Sequence, residues 1–319
     1  MFKNVQSWVI GLTSLFSLIV LTALAIRSDL IILDPKGPVG AIQKDLIIYS
    51  IYFMLAILIV VYALFTFIVT KYRDRKNFDK NEYKPDMHGS TKLEIIWTLI
   101  PIIIVTALSI PNAKALYELK KPPKSTADKE PIVIHATAVD WKWIFSYPDN
   151  NIETVNYVNV PEDYPILFKV TAADSMASFW IPQLGGQIYG MPGMVNELYL
   201  QADDPGVYKG RNSNFTGVGM TNQIFRFVAL AEEDYQDWLK KTKKNAPELD
   251  VGTYEKLMLP ETVGEMTFSS THLEFIDHSK NSEYALNIRE KYGVEVKGIR
   301  VKADSSEEDE NEATISSHH

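Results

Sequence analysis

Polar and apolar positions are spread unevenly along the chain. Nearly all of the long apolar runs lie before Pro111. The first uncharged run, Val5 to Ile26, follows a lone Lys3. Its length and the small-x-small triplet Ala23-Leu24-Ala25 fit either a cleaved signal peptide or a retained membrane segment. The second run, Leu46 to Thr70, is about 25 residues long and the third, Ile95 to Ala113, about 19. Each is long enough to cross the hydrocarbon of a bilayer as a helix. Pro101 and Pro111 fall within the third, which a membrane helix tolerates where a neighbouring group satisfies the freed carbonyl.

Beyond a linker rich in Lys and Pro, the pattern changes to short alternating segments. Pro131 to Val139, Trp141 to Tyr147, Ile152 to Val160, Ile166 to Thr171, Glu197 to Gln201 and Gln223 to Ala229 read as strands. Strands at this spacing predict a β-sandwich or barrel. From Ala231 the pattern turns helical. Glu232-Glu233-Asp234 opens a segment closed by Lys240, Lys241, Lys243 and Lys244, a charge order that complements a helix dipole. A second helix is predicted from Ser282 to Tyr292, and an acidic, disordered tail follows.

The predicted organisation is a signal peptide or membrane segment (1–27), an extracytoplasmic lead (28–45), a transmembrane helix (46–70), a cytoplasmic loop (71–93) and a second transmembrane helix (94–113). A linker (114–130), a β domain (131–230), a helical extension (231–303) and the tail (304–319) complete it. Charge sets the orientation. Lys71, Arg73, Arg75, Lys76, Lys80, Lys84 and Lys92 crowd the loop between the spans, which the positive-inside rule assigns to the cytoplasm. Everything after Pro111 then faces the other side of the membrane.

Composition narrows the chemistry. The formal net charge is −8, and no basic cluster suggests a nucleic-acid surface. The chain contains no cysteine, which removes disulfides, lipidation at a thiol and every metal centre built on thiolates.

Four stretches, in order, carry a resemblance. They are Leu93-Glu94-Ile95-Ile96-Trp97-Thr98-Leu99-Ile100-Pro101, then Val139-Asp140-Trp141-Lys142-Trp143, then Ser178 to Gln187 with Met191-Pro192-Gly193-Met194, and last Gly210 to Gly217. Together they resemble subunit II of the haem–copper oxidase superfamily, and within it the menaquinol oxidases of Gram-positive bacteria. The resemblance covers about residues 35 to 300 and implies a membrane-anchored all-β protein. A transmembrane helix hairpin would precede a cupredoxin-like β-sandwich with a helical C-terminal extension.

Relatives that accept electrons from cytochrome c hold a dinuclear copper centre in this sandwich. Laid on this sequence, the histidine that precedes the Trp-Ile-Pro run becomes Ala177. The two bridging cysteines become Asn212 and Thr216, the glutamate becomes Asn214, and the later histidine and methionine become Met220 and Gln223. Of these six, only Met220 offers a soft ligand. The resemblance therefore implies a subunit without copper, in a proton-pumping complex that oxidises quinol within the membrane and reduces oxygen to water. Haems and copper would sit in subunit I. The expected partners are subunit I, smaller membrane subunits, lipid and, through the complex, quinol, with no cytochrome c and no nucleic acid. Trp141 and Trp143 read as aromatic core and subunit contact. Glu94, at the cytoplasmic start of the third run, reads from physics as a helix-end carboxylate. The resemblance makes it a candidate at the mouth of a proton pathway. An unrelated membrane-tethered binding protein is the alternative, separable by co-purification with haem.

Overall fold

The computed structural model describes residues 19, 23, 30–71 and 89–294. Most of the first apolar run, most of the basic loop and the acidic tail lie outside the described residues. Two long helices, α1 (Pro38–Lys71) and α2 (Thr91–Glu118), overrun the apolar stretches that define them. Thirty-four residues make α1 about 51 Å long, more than the hydrocarbon thickness, so its ends lie at the level of the headgroups. Along both helices large apolar side chains such as Phe65, Ile103 and Ile110 are left exposed by the protein itself. Only lipid or another membrane chain can cover them favourably.

The hairpin shows how a proline is accommodated. Pro111 has no N–H, so the carbonyl of Ala107 loses its helical donor. The Tyr49 hydroxyl of α1 donates to that carbonyl at 3.3 Å.

Among the described residues, eleven strands form the two sheets of the globular part. β1 (Ile132–Val139), β2 (Lys142–Tyr147), β3 (Ile152–Val155), β5 (Ile166–Ala172), β8 (Asn196–Leu200) and β11 (Met266–Phe268) form one sheet, ordered β11-β3-β2-β1-β5-β8. The other contains β4 (Tyr157–Pro161), β6 (Ala177–Ile181), β7 (Gly185–Gly190), β9 (Gly206–Asn212) and β10 (Ile224–Leu230), ordered β4-β10-β9-β6-β7. β1 pairs with β5 and β4 with β10 in parallel, and the remaining pairs are antiparallel. This is the cupredoxin-like sandwich that the resemblance implies.

The core between the sheets is aromatic. Trp143 and Phe145 of β2 meet Phe179 of β6 and Phe225 of β10, and the rings of Phe179 and Phe225 stack at 5.1 Å. The stretch 152–160, read from the sequence as one strand, is divided between the two sheets. Asn156 takes a left-handed conformation (φ 59°) that asparagine tolerates. Its Oδ1 accepts the Trp143 N–H at 3.0 Å and its Nδ2 donates to the Val263 carbonyl at 2.7 Å, so the break is held from both sides. β6, β7, β9 and β11 have no counterpart among the strands read from sequence. β7 begins Gly-Gly and β11 has three residues, too little for a period to show.

All six residues of β2 are buried, on both faces. The C-terminal extension contributes α3 (Glu232–Asn245), whose Tyr235 and Leu239 join the inner core, and then α4 (Val251–Leu257) and α5 (Tyr284–Lys291), which cover the second face. Ile144 and Val155 there join a second apolar cluster with Tyr254, Leu257, Met258 and Ile288.

The head is fastened to α1 by more than the linker. The Lys36 N–H donates to the Gln183 carbonyl at 2.8 Å, the Asp203 N–H to the Lys36 carbonyl at 3.0 Å, and the Gly186 N–H to Gln43 Oε1 at 3.1 Å. Backbones touch here. A Cβ on Gly37 would lie 2.0 Å from the Gln201 carbonyl oxygen, and one on Gly185 (φ +84°) would lie 2.9 Å from the Gly40 Cα.

Candidate functional site

The loop from Asn212 to Gln223 joins β9 to β10 and brings the matched positions together. Asn212 and Gln223 are buried side by side where the two strands part, with the Asn212 N–H donating to the Gln223 carbonyl at 2.9 Å. Asn212 Nδ2 donates to Gln223 Oε1 at 2.8 Å and to Thr216 Oγ1 at 3.1 Å. The Thr216 hydroxyl in turn donates to Gln223 Oε1 at 3.2 Å, which closes a triangle. The remaining polar atoms are also engaged. Asn212 Oδ1 accepts the N–H groups of Ser178 and Asn214 at 2.8 and 2.9 Å. Gln223 Nε2 reaches the carbonyls of Lys142 and Val139 at 3.3 and 3.4 Å. Asn214 Nδ2 donates to the Met176 carbonyl at 2.8 Å. A fully connected buried polar network of this kind fixes a loop without desolvated, unpaired atoms.

Ala177 opens β6 beside this network and is buried. Met220 lies in a short turn, partly exposed, and makes no side-chain hydrogen bond among the described residues. Trp141 covers the loop from the other side. Its indole N–H donates to the Thr216 carbonyl at 2.9 Å, and its ring lies so close to Gly219 that a Cβ there would meet it at 2.2 Å. At the tip Phe215 and Val218 are 81% and 96% exposed.

The donor set does not fit a dinuclear copper centre. That centre needs bridging thiolates, and the chain has no cysteine. The amides and hydroxyl in their places are committed to one another, and a lone thioether holds copper weakly.

Glu94 is remote from this loop. It is exposed in the first turn of α2, where its N–H donates to the Ser90 carbonyl at 3.0 Å and its carbonyl accepts from Thr98 Oγ1 at 2.8 Å.

Two buried groups of charged or titratable residues were missed in the sequence. Behind β2, Arg289 of α5 pairs with Asp174 and, at 3.5 Å, with Asp140, and donates to the Met258 carbonyl at 2.9 Å. Burial, with the Asp174 carboxylate adding to it, raises the pKa of Asp140. Lys142 donates to the carbonyls of Asp140, Leu257 and Leu259 at 2.9, 3.0 and 2.7 Å, and burial lowers its ammonium to about 8. The second group joins Glu153 to His272 at 2.6 Å and Tyr254 to His278 at 2.6 Å. Burial, followed by repulsion from His272, brings His278 down to about 3. The signal for the first group was present: Asp140 and Lys142 interrupt an otherwise apolar stretch between Ala138 and Phe145. The second has no local signal, because Glu153 and Tyr254 lie far along the chain from His272 and His278.

Residues 15–114 match the family described as cytochrome c oxidase subunit II, transmembrane domain, and residues 150–225 the periplasmic domain of the same subunit. Among curated proteins, quinol oxidase subunit 2 of Bacillus spizizenii is 55% identical over 280 residues, covering 88% of this chain and 87% of the relative. Quinol oxidase subunit 2 of Bacillus cereus is 47% identical over 256 residues, covering 80% and 87%. Probable quinol oxidase subunit 2 of Staphylococcus aureus is 44% identical over 271 residues, covering 85% and 72%. Among solved structures, the periplasmic domain of subunit II of cytochrome oxidase (CoxB) of Bradyrhizobium japonicum is 26% identical, with a TM-score of 0.35 over 36% of this chain and 96% of that one. The class is thus a membrane-anchored subunit of a respiratory oxidase complex, not catalytic alone. The chain belongs to the quinol oxidase subunit II family.

Proposed function

We propose that this chain is the copper-free subunit II of a proton-pumping oxidase that passes electrons from quinol, menaquinol in particular, to oxygen and forms water. The observation that carries this reading is the closed Asn212–Thr216–Gln223 network standing where a copper relay would need thiolates. A cytochrome c docking on the outer domain requires such a relay. A quinol is lipid-soluble and meets the complex inside the membrane, so its electrons can enter subunit I directly. Haems and copper belong to subunit I in this reading. The chain's task is to stabilise subunit I and help assemble it with smaller membrane subunits.

In the same reading residues 131–230 form the copper-free sandwich and 231–303 its extension, both on the extracytoplasmic face of a multi-pass chain. The basic residues between the spans support that orientation. Copper titration of the purified chain, followed by absorption and paramagnetic resonance, tests the central point. No stoichiometric thiolate-type copper signal is expected, and its appearance would overturn the reading. Protease added to intact protoplasts should remove the domain after Pro111 and spare the stretch from Lys71 to Lys92; cleavage within that stretch would reverse the topology.

Glu94 is assigned to proton collection at the cytoplasmic mouth of a path into subunit I. A carboxylate at the start of a span can relay protons if it titrates in a partly desolvated place. Glu94→Gln should preserve assembly and slow oxygen consumption per haem with excess quinol. Wild-type turnover at every pH would leave Glu94 as a helix-end carboxylate.

A further inference from the structure

Where the two spans meet the head, the protein forms a cavity of about 720 Å³. That is within the roughly 300–1,000 Å³ typical of small-molecule sites. Its floor and walls come from three places: the first turn of α1 with Val39 and Ile42, the last turn of α2 with Tyr117 and Leu119, and the linker at Pro122 and Pro123. The uncharged stretches of the spans run over 46–70 and 95–113, so the cavity lies just past their ends, at headgroup depth.

The charges around it are of one predominant sign. Lys114, Lys121 and Lys124 line it against one acid, Glu118, which pairs with Lys124 at 2.6 Å. Lys114 and Lys121 are exposed and form no ion pair among the described residues. An apolar cup at headgroup depth, rimmed by exposed ammonium groups in excess over the one carboxylate, matches one ligand chemistry: an acyl chain carrying a phosphate. We propose that this cavity binds an anionic phospholipid, with its phosphate between Lys114 and Lys121 and the upper part of one acyl chain against Val39, Ile42 and Leu119. Lysines bind phosphate as compact point charges without fixed geometry, which suits a mobile headgroup. A zwitterionic lipid would bring its own cation to the same rim and be disfavoured.

The site is independent of how the complex obtains its electrons. It can be tested in the assembled oxidase, reconstituted in nanodiscs of equimolar phosphatidylglycerol and phosphatidylcholine. Photoactivatable analogues of each lipid, with the reactive group high on the acyl chain, are supplied in turn, and labelled peptides are mapped. The phosphatidylglycerol analogue should label segments 36–44 and 114–127 in excess over the phosphatidylcholine analogue. In Lys114→Gln and Lys121→Gln, single and combined, that excess should fall about fivefold per lysine removed, with haem content and labelling in the middle of the spans unchanged. Equal labelling by the two lipids, or an excess that survives the double variant, overturns the proposal. A photo-crosslinker replacing Tyr117 guards against another occupant. Cross-linking to an oxidase subunit or to residues 1–29 in place of lipid would also overturn it.

Discussion

The two faces of β2 are equally buried and stabilised in opposite ways. On one, Trp143 and Phe145 lie in a wholly apolar aromatic core, where the Trp143 indole N–H has no partner among the described residues. On the other, Lys142 and Ser146 join a buried lattice of ions and hydrogen bonds that reaches Asp140, Asp174, Arg289, Glu153 and His272. The inner face gains stability from area removed from water and is tolerant in detail. The outer face gains little net energy per bond but tolerates no missing partner, because a buried charge left alone is costly. The sandwich is thus held together by apolar contact, while the extension is seated on it by a smaller apolar cluster together with the complementarity of buried charges.

The largest effect is expected from Trp143→Ala, which empties the centre of the inner face and should cost about 3–5 kcal/mol. Thermal unfolding of the detergent-solubilised chain measures it, and a cost below about 1 kcal/mol would break the contrast between the faces. Arg289→Met should cost about 3 kcal/mol by leaving Asp140 and Asp174 facing each other unpaired. Adding Asp174→Asn should recover part of that loss, whereas strict additivity would show that the ionic lattice is not coupled.

Gln223→Ala at the edge of the inner face should cost about 1–3 kcal/mol, since Asn212 Nδ2 and the Thr216 hydroxyl lose their common acceptor. Limited proteolysis between Asn212 and Gln223 should report the loosened loop. The smallest effect near neutrality comes from His278. Its folded value of about 3 lies below the ordinary 6.5, so the neutral ring is the folded form. This contribution is complete above pH 6.5 and is lost as the pH falls from there toward 3. His278→Gln should flatten the fall in melting temperature over that window, and an unchanged slope would remove His278 from the account.

The sequence carried the two apolar helices, most of the sandwich and the grouping of Asn212, Thr216 and Gln223 in one loop because each leaves a local trace. Long uncharged runs, period-two alternation and the Gly210–Gly217 frame are all visible without coordinates. What it hid depends on chain crossing between layers. The division at Asn156 turns on one left-handed residue inside a stretch whose β-branched residues, Ile152, Thr154, Val155, Val158 and Val160, favour strand on both sides of it. The Glu153–His272 contact spans 119 positions, and the polar triangle emerges only when the ends of β9 and β10 are set side by side. The amphipathic extension could be read as helical, but not as the lid on the second face of β2.

The close backbone contacts among Gly37, Gly40 and Gly185 make the first span and the head turn as one piece. A helix advances about 100° per residue, so the stripe of α1 that meets another membrane chain is set by the angle at which this clasp grips its first turn. Inserting a single residue just after Gln43 would leave both the clasp and the membrane helix intact, yet rotate one against the other by more than a quarter of a circle. The azimuth of the span within the bilayer is therefore dictated from outside the bilayer, by glycines whose only contribution is the absence of a side chain.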